Sequence, residues 1–295
     1  MKNIIKTAMQ GFSMALADSV PGVSGGTVAF VLGFYDKLIN SLNILISRKG
    51  DKKSAINFLV KLGIGWAIGM AIASLILSNL FETHIYQVSS LFIGFIIFAI
   101  PLIIKEEKEN VKGKYKNLIF TIIGIVVVSA ITYFNPQTGS GSNIDITSLN
   151  LGLGIYVFVA GMIAISAMIL PGISGSTLLL IFGLYMPIIT GIKETLHFNL
   201  SYIPVLFVFG LGVLAGIAAI IKLVKKALEK YRSQSIYLII GLMIGSIYAI
   251  IMGATTLKEP LAPLSFGTFN ILYFIVGGLI IFGMELAKRK LESKK

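Results

Sequence analysis

Two short stretches of the chain concentrate groups able to bind charge. Residues 21–35 read PGVSGGTVAFVLGFY and residues 171–185 read PGISGSTLLLIFGLY. Each opens with a proline, which lacks a backbone donor and cannot sit inside a helix. Glycines follow that permit positive φ and close backbone approach. Ser24 and Ser174 suit the N-cap of helices starting near Gly25 and Gly175. At a helix start the first amides have no intrahelical partner and the helix dipole adds partial positive charge, so an anion is favoured there. Hydroxyls of Ser24, Thr27, Ser174, Ser176 and Thr177 add donors, and Gly25, Gly26 and Gly175 offer bare amides. Pro21, Gly22, Pro171 and Gly172 shape the turns. The expected guest is phosphate or another oxyanion. The competing reading is a pair of tight turns that only let helices pack.

Asp18 lies three residues before Pro21, and the matching position in the second stretch is Met168. A carboxylate inside a membrane segment is costly and marks function by default. A fixed negative charge there would repel phosphate, which makes Asp18 a candidate for coupling to H+ or Na+. The alternatives are a helix cap or a partner for Lys37, itself either an auxiliary phosphate contact or a snorkelling lysine. Trp66 and the tyrosines read as packing or interface anchors. The chain has no cysteine and two histidines, His84 and His197, both in segments read as outside loops. Nothing clusters as a nucleophile with its base or as a metal ligand set, so no cofactor and no enzymatic activity are expected.

The elements that must position these stretches are membrane helices. Of the 295 residues 56% are hydrophobic and 13% charged, with mean hydropathy +0.89, against about 25% charged in soluble domains. Spans of about 20 apolar residues fit 57–79, 88–104, 117–134, 203–221, 236–256 and 269–287. Twenty-two of the 25 Lys and Arg fall in 1–10, 47–61, 105–116, 222–232 and 288–295, while the loops 80–87, 135–150, 191–202 and 257–268 together hold two. Cytoplasmic loops carry the basic excess, so both termini are expected inside, and the net charge of +12 reports topology rather than nucleic-acid binding. The N-terminal segment lacks the pattern of a cleavable signal peptide.

The same charge map makes 3–46 leave from and return to the inside, and 151–190 do so from the outside. Each is followed by three spans, so the halves must run upside down relative to one another. Seven of fifteen positions match between 21–35 and 171–185, at an offset of 150. Gly63, Gly65, Gly69 and Gly94 match Gly210, Gly212, Gly216 and Gly241 at an offset of 147. The expected fold is an all-α integral membrane protein of two inverted-topology repeats, each a re-entrant helical hairpin plus three spans. Repeat 1 is 1–134, an external linker is 135–150, and repeat 2 is 151–295. The apolar run after each tip is eight or nine residues, about 12–14 Å, or half a bilayer core. Both tips are therefore expected near the midplane. Inverted repeats with Gly/Pro-broken segments at matching places are the pattern of secondary transporters.

The paired DSVPGVSGGT and ILPGISGST motifs, with the repeat between them, resemble the polyprenyl-phosphate transporter family over nearly the whole chain. The resemblance implies a flippase of the bacterial cell membrane that returns undecaprenyl phosphate from the outer to the inner leaflet. Its headgroup is the oxyanion and its prenyl tail stays in lipid. Carried over with it are Asp18, Ser19, Pro21, Gly22, Ser24, Gly25, Gly26 and Thr27, and in the second motif Pro171, Gly172, Ser174, Gly175, Ser176 and Thr177. The second motif has Met168 and Ile169 where the first has Asp18 and Ser19, so the two need not contribute equally. The competing functions are a carrier of a small soluble anion (or of a cation at Asp18), a membrane lipid-phosphate enzyme, and a scaffold or insertase.

Overall fold

A computed structural model of the chain describes residues 2–18, 24–134, 150–196, 198–256 and 260–292. Among these the regular structure is helical. The order is α1 (Lys2–Asp18), α2 (Gly25–Val31), α3 (Tyr35–Ser47), α4 (Lys52–Glu106), the single turn α5 (Lys108–Val111), α6 (Leu118–Tyr133), α7 (Leu151–Ile169), α8 (Gly175–Ile181), α9 (Tyr185–Leu196), α10 (Ile203–Lys230), α11 (Arg232–Met252) and α12 (Ile271–Glu292). Ser19, Pro21, Gly22, His197 and nearly all of the 135–150 linker lie outside the described residues.

Among the described residues six segments are long and apolar enough to cross a bilayer: Lys52–Ile72, Thr83–Glu106, Tyr115–Tyr133, Leu151–Ile169, Leu200–Lys230 and Arg232–Thr255. The chain is a multi-pass helical membrane protein. Stripes of Leu118, Ile119, Ile122 and Val126 on α6, and of Phe207, Leu211 and Leu214 on α10, stay exposed, as lipid-facing surfaces must. The most enclosed span is α11, whose Ile236, Ile240, Met243 and Ile250 sit in the main core with Phe30, Tyr35, Ile39 and Ile96.

Three details differ from the sequence reading. The span expected at 269–287 falls in α12, whose apolar stretch Ile271–Gly283 is shorter than the six crossing segments. The loop expected at 80–87 is a kink within α4, where only His84 leaves helical geometry (φ −135°, ψ 33°). Tyr231, 147 residues later at the α10–α11 junction, has nearly the same dihedrals (φ −129°, ψ 45°). Leu151–Ile169, expected as the first limb of a hairpin, is itself long enough to cross: its 19 residues extend about 28 Å.

Helix contacts recur at fixed offsets. Gly65 of α4 meets the Ala8 backbone of α1, as Gly212 of α10 meets Phe158 of α7. Gly69 meets Phe12 and Ala15, as Gly216 meets Met162 and Ile165. In each case a Cβ would collide with a neighbouring backbone, so only glycine allows the approach. Farther along, pairing crosses between the two stretches. Gly94 of α4 meets Phe274 of α12, while Gly241 of α11 meets Thr121 of α6. The second limb of α4 thus packs on α12, and α6 on α11.

The loops sort to two ends. At one end Arg232 donates to Asp36 and Glu107, Asn110 to Glu107, Asn117 to Ser233 and Lys225 to Asn40. At the other, the Tyr86 hydroxyl donates to the Ala262 carbonyl at 2.9 Å and the Asn270 amide to Ser90 Oγ at 2.9 Å.

Candidate functional site

The broken segments are built alike. Residues 24 and 174 precede helices of seven residues, α2 and α8. Each helix is closed by a glycine in the left-handed region, Gly33 at φ 69° and Gly183 at φ 63°. The Phe34 amide then donates to Ala29 O at 3.0 Å and the Leu184 amide to Leu179 O at 2.9 Å, the same bond 150 residues apart. That closure satisfies carbonyls at the helix end. In the first stretch it turns the chain by 117° into α3. The short helices span about 10 Å, less than the run of apolar residues suggested.

The two breaks touch. Ser24 is 1% exposed. Its Oγ accepts from the Gly26 amide at 3.1 Å and donates toward the carbonyls of Leu170 (3.3 Å) and Met168 (3.4 Å). Thr27, also 1% exposed, accepts the Gly172 amide on Oγ1 at 2.8 Å. The Tyr35 hydroxyl donates to Ile169 O at 3.2 Å. Gly26 lies so close to this strand of backbone that a Cβ would stand 2.9 Å from Ile169 O. Residues 24–27 and 168–172, far apart in sequence, therefore form one polar seam inside an apolar core. Each buried bond contributes about 1 kcal/mol net, and losing one partner costs more than the bond itself contributes.

Asp18 is not paired with Lys37. Its Oδ1 accepts the Gly25 amide at 2.7 Å and its Oδ2 accepts Trp66 Nε1 at 3.0 Å. The carboxylate thus occupies the amide end of α2, where the sequence reading placed an external anion. Lys37 is exposed, with Nζ 4.5 Å from the centroid of the Phe58 ring. In the second stretch the asymmetry is direct. Gly175 packs against the Met168 side chain, where Gly25 packs against Asp18. Pro171, Gly172, Ser174 and Gly175 are buried and Thr177 is half-buried. Ser176 lies in α8, with its side chain outside what is described.

The structure brings Ser24, Gly25, Gly26, Thr27 and Asp18 together with Gly172 and the 168–170 carbonyls. Lys37 stands apart. Sequence reasoning missed Trp66, the chain's one tryptophan, because a carboxylate partner 48 residues away leaves no local trace. It also read Tyr35 only as a packing or interface anchor, though the Tyr35/Tyr185 identity was the available signal. Among the described residues no group of three or more His, Cys, Asp or Glu is placed to hold a metal ion.

Broken helices meeting at a polar seam within a multi-pass helical protein define the transporter class of membrane proteins. A family model described as VCA0040-like, undecaprenyl phosphate translocase-like, matches residues 14–265. The chain is 35% identical over 248 residues to the polyprenyl-phosphate transporter of Staphylococcus aureus, covering 84% of this chain and 86% of the relative. It is 31% identical over 256 residues to the polyprenyl-phosphate transporter of Vibrio cholerae, covering 83% and 77%. No solved structure matches it significantly. The chain belongs to the undecaprenyl phosphate translocase-like family; it is a transporter and not an enzyme.

Proposed function

We propose that the chain carries polyprenyl phosphate from the outer to the inner leaflet of the cell membrane by alternating access. The observation that carries this reading is the contact of residues 24–27 with 168–172, two matching breaks joined by hydrogen bonds. The repeats 1–134 and 151–295 run in opposite directions across the bilayer, both termini lie in the cytoplasm, and the end holding Arg232 faces inward. The recurrence of glycine contacts at offsets of 147 and 150 supports the repeat.

In this conformation Ser24 Oγ and the amides of Gly25, Gly26 and Gly172 are bonded to protein. The phosphate enters as the seam opens, taking the hydroxyls of Ser24, Thr27, Ser174, Ser176 and Thr177 and the amides of Gly25, Gly26 and Gly175. The prenyl tail stays in lipid. Asp18 must yield the Gly25 amide for a headgroup to use it. Protonation or cation binding does this, which is why transport is coupled to H+ or Na+.

The test is reconstitution into liposomes with a leaflet-specific assay of polyprenyl phosphate, with and without imposed ion gradients. Ser24→Ala with Ser174→Ala should lower flux at least tenfold while the protein still accumulates. Undiminished flux from the double variant would remove the seam as the binding site. Equal transport of inorganic phosphate would make the substrate a soluble anion instead.

A further inference from the structure

A cavity of about 140 Å³, lined by Phe30, Tyr35, Asp36, Ile103, Glu107 and Arg232 among others, lies beside the seam. Tyr35 joins the two, since it lines the cavity and donates its hydroxyl to Ile169 O. Arg232, at the start of α11, spans this space. It donates through Nη1 to Asp36 Oδ2 at 2.8 Å, and through Nε to Glu107 Oε2 at 3.2 Å.

The two carboxylates are not equivalent. Glu107 ends α4, whose following segment is fastened to α11: Asn117 donates to Ser233 at 2.7 Å, Ser233 to Asn110 O at 2.6 Å, and the Tyr237 hydroxyl to Val111 O at 2.9 Å. Glu107 and Arg232 therefore belong to one packed unit. Asp36 sits on α3, one residue beyond Tyr35, in the segment that carries the first break. Among the described residues the Asp36–Arg232 bond crosses from the break-bearing segment to the unit around α11, and beside it Lys225 of α10 donates to Asn40 of α3 at 3.0 Å.

The repeat supplies an internal control. At an offset of 150 the counterpart of Asp36 is Met186; at 147 the counterparts of Arg232 and Glu107 are Ile85 and Ala254. All three are apolar, so no ion pair can form between those positions. Two halves built alike would otherwise make both accessible states similar in energy.

Building on the alternating-access reading, we infer that the Asp36–Arg232 pair is a one-sided latch. It holds the basic end closed, so the empty transporter rests with its opposite end accessible. Glu107 keeps Arg232 paired when Asp36 lets go, which avoids leaving a half-buried guanidinium without a partner. Opening the latch frees α3 to move and connects the seam, beyond the cavity, to the basic end.

The chain has no cysteine, so single cysteines report directly. Ile103→Cys lines the cavity, and Ile250→Cys is its counterpart at an offset of 147. Each is labelled in oriented liposomes with a membrane-impermeant maleimide, with and without polyprenyl phosphate and with and without Asp36→Asn. Asp36→Asn should raise labelling at 103 about five-fold, the shift expected from losing a partly exposed ion pair, and lower it at 250. If lipid drives opposite changes at the two sites but Asp36→Asn moves neither, the latch is wrong and alternating access stands. If neither lipid nor substitution gives opposite changes, alternating access itself fails. Should Asp36→Asn not accumulate, Asp36→Cys with Arg232→Cys decides. Joined by a reducible bifunctional thiol reagent, this variant should stop transporting until reduced, and full transport while joined overturns the latch.

Discussion

Thr27→Val is the sharpest probe of the seam. Valine keeps the shape of threonine but removes Oγ1, the acceptor of the Gly172 amide at 2.8 Å. Thr27 is 1% exposed, so water cannot easily replace it. A buried amide left without an acceptor costs about 1–3 kcal/mol. For a chain of this length that is a fall in melting midpoint of about 2–6 °C, measured by thermal unfolding in detergent. Thr27→Ser is the control, because it restores the acceptor while deleting a methyl group. The hydrogen bond is at issue only if serine recovers most of the loss. A valine variant as stable as the parent, with serine the weaker of the two, would show that Thr27 acts by packing and that the seam is not polar in character. The same pair of variants should also separate in transport. With the joined conformation weakened by about 1–3 kcal/mol, its population relative to open states falls roughly five- to 150-fold, and the valine variant should show altered KM for polyprenyl phosphate where serine does not.

Asp18→Asn keeps a carbonyl oxygen for the Gly25 amide or for Trp66 Nε1 but removes the charge. The dependence of flux on pH or sodium should flatten, and an unchanged dependence in flux assays would take Asp18 out of coupling. Trp66→Phe should weaken the same dependence without abolishing transport, checked in the same assay, since it removes one donor from Asp18 and leaves Gly25. Gly65→Ala and Gly212→Ala each place a methyl group against backbone, at Ala8 and at Phe158. Each should destabilise by about 1–3 kcal/mol, read as a lower melting midpoint; Gly63→Ala, where a Cβ meets nothing within 4 Å, should not.

The class of fold was legible because it rests on composition and on a charge count, both additive properties of the chain. The matching segments were legible because Ser24 and Ser174 precede helices of equal length, and glycine at 33 and 183 is demanded by the same left-handed closure. Three things were not legible. Asp18 was suspect as an ionisable group in an apolar segment, yet its partners depend on tertiary placement of Trp66. The kink at His84 carries no proline or glycine, so it read as a loop. Arg232 sat inside a basic cluster that serves topology, and nothing in its neighbours distinguishes the one arginine that reaches Asp36 and Glu107.

The crossed packing restricts how such a molecule can move. Had residues 1–134 and 151–295 each packed only among themselves, the two stretches could swing apart as whole bodies. Instead the second limb of α4 is held to α12 through Gly94 and Phe274, and α6 to α11 through Thr121 and Gly241, at backbone contact distance. A swing of either whole stretch would tear both interfaces. The pairs α1 with the first limb of α4, and α7 with α10, carry the breaks and join the crossed unit at His84 and Tyr231, the two non-helical residues at matching positions. Motion should therefore be concentrated at those two residues. Spin labels on Ile97 and Leu279, exposed positions on the second limb of α4 and on α12, should keep their separation through the transport cycle. Labels on Ile64 and Ile97, on either side of His84, should change theirs when polyprenyl phosphate is added. A constant distance for the second pair with a changing distance for the first would reverse the assignment of fixed and moving parts.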